Sequence, residues 1–111
     1  MLPLSMTYEI VEYITANGKS PYAEWFADLD AIAAAKVTVA LIRLERGNIS
    51  NLKWFDGIGE YKIDFGPGYR IYLAKVGSEL IILLGGGTKK TQQKDINKAL
   101  KYAALGGNES L

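Results

Sequence analysis

Apolar and polar positions alternate along the chain between residues 60 and 75. This period of two occurs in residues 60–65 and again in 69–75, and it is typical of strands with one buried face. Residues 80–84 are apolar throughout, as expected for a strand covered on both faces. Gly66-Pro67-Gly68 and Val76-Gly77-Ser78 have the composition of tight turns. The pattern therefore predicts three antiparallel strands: Glu60–Phe65, Tyr69–Lys75 and Leu80–Leu84.

The first predicted hairpin brings several polar side chains to one face. Folding it about Pro67 pairs Phe65 with Tyr69, so that Asp64 lies opposite Arg70 and Lys62 lies opposite Tyr72. In this register Arg70 points away from the apolar core, and an exposed pair with Asp64 would contribute less than about 1 kcal/mol. The candidate site is this group of four residues: Lys62, Asp64, Arg70 and Tyr72.

One strand and two helices are predicted before the hairpin. Thr7–Thr15 has strand character, and Ser20 followed by Pro21 marks the start of a helix that ends near Leu29. Asp28 or Asp30 caps a second helix, Ala31–Arg46, which has apolar residues on two surfaces and is expected to be covered on both. Its charged residues Lys36 and Arg43 are interpreted as solvated, with contact to nucleic acid as the lesser alternative.

Glycines and a capping threonine divide the remaining segments. Residues 47–59 are interpreted as a connecting loop with room for a short strand, and Gly85-Gly86-Gly87 is expected to let the backbone leave the sheet. Thr91 caps a last helix. The predicted fold is α+β with the order β-α-α-β-β-β-α. We expect one domain over residues 6–105, with flexible ends at 1–5 and 106–111.

Composition limits the chemistry. The 111 residues include no cysteine and no histidine, so thiolate chemistry and histidine general bases are excluded. The net charge of +1 hides an asymmetry: residues 1–34 hold one lysine against five acids, and the rest holds twelve basic residues against seven acids. Basic clustering suits a polyanionic partner. Neither a signal peptide nor a membrane-spanning run is evident, and we expect a cytoplasmic protein.

Two motifs carry a resemblance to a known family. The sequence YKIDFGPGYRIY, followed by a buried strand and GGGTKKTQQKDI, resembles the RelE/ParE superfamily of type II toxins, and within it the HigB-like addiction module killer proteins. The resemblance extends from about Tyr8 to Tyr102. It implies an antiparallel sheet with two N-terminal helices on one face and a C-terminal helix.

The resemblance also implies an activity. Toxins of the RelE type cleave messenger RNA on the ribosome without a metal or cofactor, through attack of a 2′-OH on the adjacent phosphate. By this resemblance Arg70 binds the scissile phosphate, Lys62 is a base or a phosphate contact, and Lys89 or Lys90 supplies a further cation. Asp64 stands where the family has a second lysine, and it could be the base or a partner of Arg70. The candidates for RNA binding are Lys53, Tyr72, Lys90 and Lys94.

Other functions remain open at this stage. The family's catalytic tyrosine or histidine on the terminal helix has no counterpart here, where Asp95 and Ile96 occupy that region. ParE-like toxins share the implied fold but inhibit DNA gyrase through a protein interface, and a non-toxic antitoxin-binding remnant is a third reading. The expected partners are an antitoxin with a helix-turn-helix DNA-binding domain, the ribosome and its mRNA. Operator DNA would be reached only through the antitoxin, and no membrane partner is expected.

Overall fold

A mixed five-stranded sheet with helices on both faces organises the chain. A computed structural model describes residues 7–107, so of the predicted flexible ends at 1–5 and 106–111 only residues 106 and 107 lie within the described residues. The strands are β1 (Glu9–Glu12), β2 (Leu52–Phe55), β3 (Ile58–Ile63), β4 (Tyr69–Val76) and β5 (Leu80–Thr88). The helices are α1 (Pro21–Ala27), α2 (Ala31–Glu45) and α3 (Gln92–Tyr102), and a wide helical turn, Ala103–Gly107, follows α3.

The predicted antiparallel sheet is wrong. The strand order is β1-β5-β4-β3-β2, and β1 runs parallel to β5, with Glu9 beside Leu80 and Glu12 beside Leu83. Tight turns fix the direction of consecutive strands only. Because α1 and α2 carry the chain across the sheet after β1, no turn determines how β1 runs relative to β5.

The predicted element order also lacks one strand. The observed order is β-α-α-β-β-β-β-α, because the segment interpreted as a loop contains β2. A two-residue turn joins β2 to β3, and both of its residues have positive φ angles, 52° at Asp56 and 87° at Gly57. Asp-Gly with two positive φ angles is the preferred connection of a tight hairpin. This signal was present in the sequence.

The starts of the first two helices are confirmed. The Ser20 hydroxyl accepts a hydrogen bond from the Ala23 N–H at 3.0 Å, and the Asp30 carboxylate accepts one from the Ala33 N–H at 2.8 Å. These caps satisfy amide groups that have no partner within their helices.

The helices cover the two faces of the sheet unequally. The helices α1 and α2 enclose one apolar core, which contains Tyr61, Ile71 and Leu83. The helix α3 encloses a second core with Ile58 and Leu84 on the opposite face. The expectation that α2 is covered on both apolar surfaces is wrong, since its outer residues are exposed: Ile32, Ala35, Val39 and Ile42.

Two consecutive glycines let the helices approach β5 from both faces. A Cβ atom on Gly86 would lie 2.6 Å from Cζ3 of Trp25 in α1, and one on Gly87 would lie 2.6 Å from Cγ of Asp95 in α3. Both distances are too short for a real contact. The glycine run does not end the strand, as the sequence had suggested, because Gly85–Gly87 pair with β4. Close helix packing is the role that the structure gives to these residues.

Candidate functional site

The register of the β3–β4 hairpin differs from the predicted one by two residues. Ile63 pairs with Tyr69, Lys62 with Arg70, and Glu60 with Tyr72. The predicted pairing of Asp64 with Arg70 is wrong, because residues 64–68 form a longer connection in which Gly66 and Gly68 have positive φ. A register shift of two residues leaves every side chain on the same face of the sheet but changes the residue it pairs with on the neighbouring strand. The structure therefore replaces Asp64 with Glu60 in the polar group on this face.

Arg70 is held beneath the surface instead of projecting into solvent. Only 6% of the residue is exposed. Its Nη1 donates a 2.7 Å hydrogen bond to the Gly68 carbonyl, and its Nε lies 3.6 Å from Oε2 of Glu60. Among the described residues this Nε is a fully buried donor without a hydrogen-bond acceptor. The expectation of an exposed Arg70 is wrong, because α3 covers the face that the hairpin alone would leave open.

Glu60 is the functional candidate that sequence reasoning missed. Its Oε2 accepts hydrogen bonds from the Tyr72 hydroxyl at 3.0 Å and from Nε2 of Gln92 at 2.8 Å, and it lies beside Arg70. Glu60 is 7% exposed, and its charge is compensated by these two hydrogen bonds and by the Arg70 cation. Its sequence position, two residues before Lys62 on an alternating strand, already placed it on the face of Lys62 and Arg70.

Tyr72 belongs to this buried network. The residue has no exposed surface, so it supports Glu60 from below and offers no surface for contact with RNA. Burial raises the pKa of Tyr72 above its ordinary value, and the hydrogen bond to Glu60 and the Glu60 charge raise it further. Tyr72 therefore stays protonated and donates its hydrogen to the carboxylate.

Two exposed lysines flank the buried arginine. Lys62 lies directly across from Arg70 on the neighbouring strand. The Lys89 N–H donates to the Pro67 carbonyl at 3.3 Å, which ties the start of the β5–α3 connection to the hairpin turn. A Cβ atom on Gly68 would lie 3.1 Å from Nη1 of Arg70 and 3.5 Å from Cβ of Lys89. We call Lys62, Arg70 and Lys89 the cation cluster.

The cation cluster has little compensating charge at its surface. Within residues 7–107, neither exposed lysine of the cluster has a carboxylate at ion-pair distance. Positive charges without such partners are available to an anion from solution. The structure thus brings together three of the four predicted catalytic residues.

The other predicted site residues lie around the cluster or away from it. Asp64 is exposed and lines a cleft on the α2 side of the sheet. Lys53 is exposed on β2, across from Glu60. Lys90 and Lys94 are exposed just before α3 and on it. The residue of α3 that donates a hydrogen bond to the buried network is Gln92.

The described residues contain no cluster of metal ligands. No group of three or more histidine, cysteine, aspartate or glutamate side chains between residues 7 and 107 is arranged to hold a metal ion. The same part of the chain contains no helix with the length and apolar character needed to cross a membrane.

Comparison with known proteins places the chain in a family without assigning a function. A protein of Haemophilus influenzae (strain ATCC 51907 / DSM 11121 / KW20 / Rd) is 44% identical over 80 residues, which make up 70% of this chain and 81% of that protein. The chain belongs to the same family as this Haemophilus protein. The relative's name is "Uncharacterized protein", so the match carries no activity. No family model matches the chain. Neither finding tests the resemblance to RelE/ParE toxins.

Proposed function

We propose that this protein is the toxin of a type II toxin–antitoxin module and that it cleaves messenger RNA on the ribosome. The observation that carries the proposal is the cation cluster, in which exposed Lys62 and Lys89 flank Arg70 at one end of a rigid hairpin. The cluster lies on the motif that resembles RelE-type toxins. The protein is expected to act in the cytoplasm, where translated messages are found.

The proposed reaction needs charge stabilisation at a phosphate. The 2′-oxygen of a ribose loses its proton and bonds to the adjacent phosphorus, and the bond from phosphorus to the 5′-oxygen breaks. The 5′-oxygen takes up a proton as it leaves, and the products are a 2′,3′-cyclic phosphate and a 5′-hydroxyl. Negative charge accumulates on the phosphate oxygens during this exchange, and positioned cations stabilise it. We assign direct phosphate contact to Lys62 and Lys89.

In this proposal Arg70 does not bind the phosphate directly through an exposed guanidinium group, as the sequence suggested. Its guanidinium is fixed from one side by the Gly68 carbonyl and from the other by Glu60. It therefore adds a positive charge that does not need to be ordered when substrate binds. Because this charge is already oriented, less free energy is spent on reorganising the site during the reaction.

Messenger RNA cleavage in growing cells tests the proposal. Expression of the protein without a partner should arrest growth, and translated messages should be cut while naked RNA survives in vitro. The double substitution Lys62→Ala and Lys89→Ala should reduce cleavage by about a hundredfold or more, since it removes two transition-state cations. Lys101→Ala removes an exposed lysine from the last turn of α3 and is the control, with unchanged cleavage expected. Intact messages during growth arrest would overturn the proposal.

A second candidate is inhibition of DNA gyrase through a protein interface. The observation that favours it is the exposed apolar surface of α2, where Ile32 is 65% and Val39 is 44% exposed. Such surfaces often contact other proteins. DNA breaks and an SOS response with intact messages would support this function. Normal growth with soluble, folded protein would instead favour the non-toxic remnant.

An antitoxin is the proposed protein partner. Acidic groups on the antitoxin would meet the exposed lysines of the cation cluster and speed association. We propose that this antitoxin also carries the helix-turn-helix domain that binds operator DNA. The rate of association with the antitoxin should fall as the salt concentration rises. A larger fall in wild type than in Lys62→Ala would support docking at the cation cluster.

A further inference from the structure

A second basic cleft lies on the α2 side of β3, on the opposite face from the buried pair of Glu60 and Arg70. It has a volume of about 310 Å³ and is bounded by α2, β3 and the connection that precedes β2. Side chains that can donate hydrogen bonds line it: Lys36, Arg43, Asn51 and Tyr61. Phe65 adds an aromatic ring at its edge. A volume of this size lies at the small end of the range of ligand-binding clefts.

The most informative residue in the cleft is Tyr61. The residue is only 3% exposed, and its hydroxyl makes no hydrogen bond to any of the residues 7–107. The hydroxyl is not among the fully buried polar atoms of the described residues, so it is open to the cleft that Tyr61 lines. Burial raises the pKa of Tyr61, and the Arg43 charge offsets part of this increase. Tyr61 and Arg43 thus line the same open cleft, where the tyrosine hydroxyl is free to donate a hydrogen bond to a ligand.

The charges of the cleft are not neutralised within the described chain. Neither Lys36 nor Arg43 has a carboxylate at ion-pair distance in residues 7–107. The Lys36 ammonium instead lies 4.9 Å from the centre of the Phe65 ring. Asp64 is the acid that lines the cleft, so the positive charges exceed the negative ones. The set of donors matches the oxygens of a phosphate, which accept several charge-assisted hydrogen bonds.

The cleft is continuous with the cation cluster around the end of the sheet. The strand β2 begins at Leu52, which pairs with Tyr61, so on the β2 side no strand lies beside residues 63–65. Lys62, which pairs with Arg70, also lines the cleft. A polymer with regularly spaced phosphates that follows this edge would meet both groups of cations.

We propose that the cleft formed by Lys36, Arg43 and Tyr61 binds a phosphate of single-stranded RNA next to the one bound at the cation cluster. This inference rests on the proposed function for its choice of RNA, although binding here requires no cleavage. An acidic peptide would satisfy the charges of the cleft, but its carboxylates have no fixed spacing that continues to the cation cluster. RNA fits better because successive phosphates provide that continuity.

Binding of an uncleavable RNA tests the cleft independently of catalysis. The probe is a short fluorescent single-stranded 2′-O-methyl RNA, which lacks the 2′-OH that the proposed reaction requires, and its affinity is measured by fluorescence anisotropy at several salt concentrations. The matched variants are Arg43→Gln and Arg46→Gln. Both remove one arginine from the end of α2, but Arg46 lies outside the cleft. Thermal melting of each variant reports whether it is folded.

The two arginines should behave differently. Arg43→Gln should weaken RNA binding about tenfold. It should also reduce the slope of log affinity against log salt concentration by about 0.7, the contribution of one phosphate contact. Arg46→Gln should change the affinity less than about twofold. Tyr61→Phe removes only the unpartnered hydroxyl, so it should weaken binding roughly threefold to tenfold without lowering the melting temperature.

Three outcomes would overturn the inference. The first is an equal loss of affinity in the two arginine variants, which would indicate diffuse electrostatic attraction. The second is no RNA binding at all. The third is no loss of affinity in either Arg43→Gln or Tyr61→Phe. A polyglutamate peptide that binds through Arg43 when the RNA does not would identify the cleft as a protein interface. Failure of the proposed ribonuclease function is a separate result, because the 2′-O-methyl RNA cannot be cut and reports binding alone.

Discussion

Glu60 and Arg70 form an ion pair beneath the surface of the protein, with 3.6 Å between Oε2 and Nε and with 8% and 7% of their side chains exposed. The pair joins neighbouring strands diagonally, since Glu60 lies opposite Tyr72 and Arg70 lies opposite Lys62. Gln92 connects it to α3. The positive charge at the centre of the candidate site therefore depends on the packing of a helix from the end of the chain.

Breaking this pair should destabilise the fold. Arg70→Met leaves the Glu60 charge buried without a cation, and we expect a loss of about 3 kcal/mol in the free energy of unfolding. Adding Glu60→Gln removes that charge and keeps an acceptor for Tyr72 and Gln92, so the double variant should be more stable than Arg70→Met. Lys62→Met is the exposed control and should change stability by less than about 0.5 kcal/mol. Urea denaturation measures all three, and equal stability of the double variant and Arg70→Met would contradict the buried pair.

The close approach of α3 to β5 should be sensitive to a single methyl group. Gly87→Ala places a Cβ atom 2.6 Å from Cγ of Asp95 and 3.0 Å from Oγ1 of Thr91, and this overlap should cost about 1–3 kcal/mol. Asp95→Ala removes the colliding carboxylate, so the combination of both substitutions should cost less than the sum of the two. Chemical denaturation of the four proteins gives the coupling energy. Strict additivity would show that the helix moves away to accommodate the methyl group.

Stability should decrease at alkaline pH because of a buried tyrosine. Burial raises the pKa of Tyr22 from 10.0 to about 12, and the charge of Glu12 adds to this shift. The folded protein therefore keeps a proton that the unfolded chain loses, and stability falls as the pH rises from 10 towards 12. Tyr22→Phe keeps the ring and cannot ionise. The melting temperature should fall less in Tyr22→Phe than in wild type between neutral pH and about pH 11. Parallel decreases in the two proteins would contradict this assignment.

The sequence predicted the local secondary structure better than it predicted which strands and residues pair in the sheet. Helix starts at Pro21 and Ala31 follow from capping residues and local spacing, and they are confirmed. The hairpin register was wrong because the pattern fixes which face a side chain occupies but not its partner, and a shift by two residues leaves the pattern intact. The parallel position of β1 depends on contacts across most of the chain, which no local signal determines.

Burial of the candidate site was also beyond the sequence pattern. Lys62 and Arg70 were identified as neighbours on one face, and the structure places them in adjacent positions. The alternation in β4 did not reveal that α3 would pack on the face of the sheet that holds Tyr72, because the helix follows the strand by many residues. Glu60 then appeared to be an ordinary first residue of a strand. Its importance follows from the two hydrogen bonds and the ion pair that its carboxylate makes in the folded protein.

The two acidic residues of the hairpin should differ in their effect on the proposed cleavage of RNA. Glu60→Gln keeps the size of the side chain but removes the charge that holds Arg70, so cleavage should fall by about tenfold or more. Asp64→Asn should leave cleavage unchanged or raise it, because Asp64 is exposed and does not pair with Arg70. The pH profile of cleavage distinguishes misplacement of Arg70 from loss of a base: Glu60→Gln should lower the rate at every pH without changing the shape of the profile. If Asp64→Asn abolishes cleavage while Glu60→Gln retains it, Asp64 is the base and the assignment of Glu60 as a positioning residue fails.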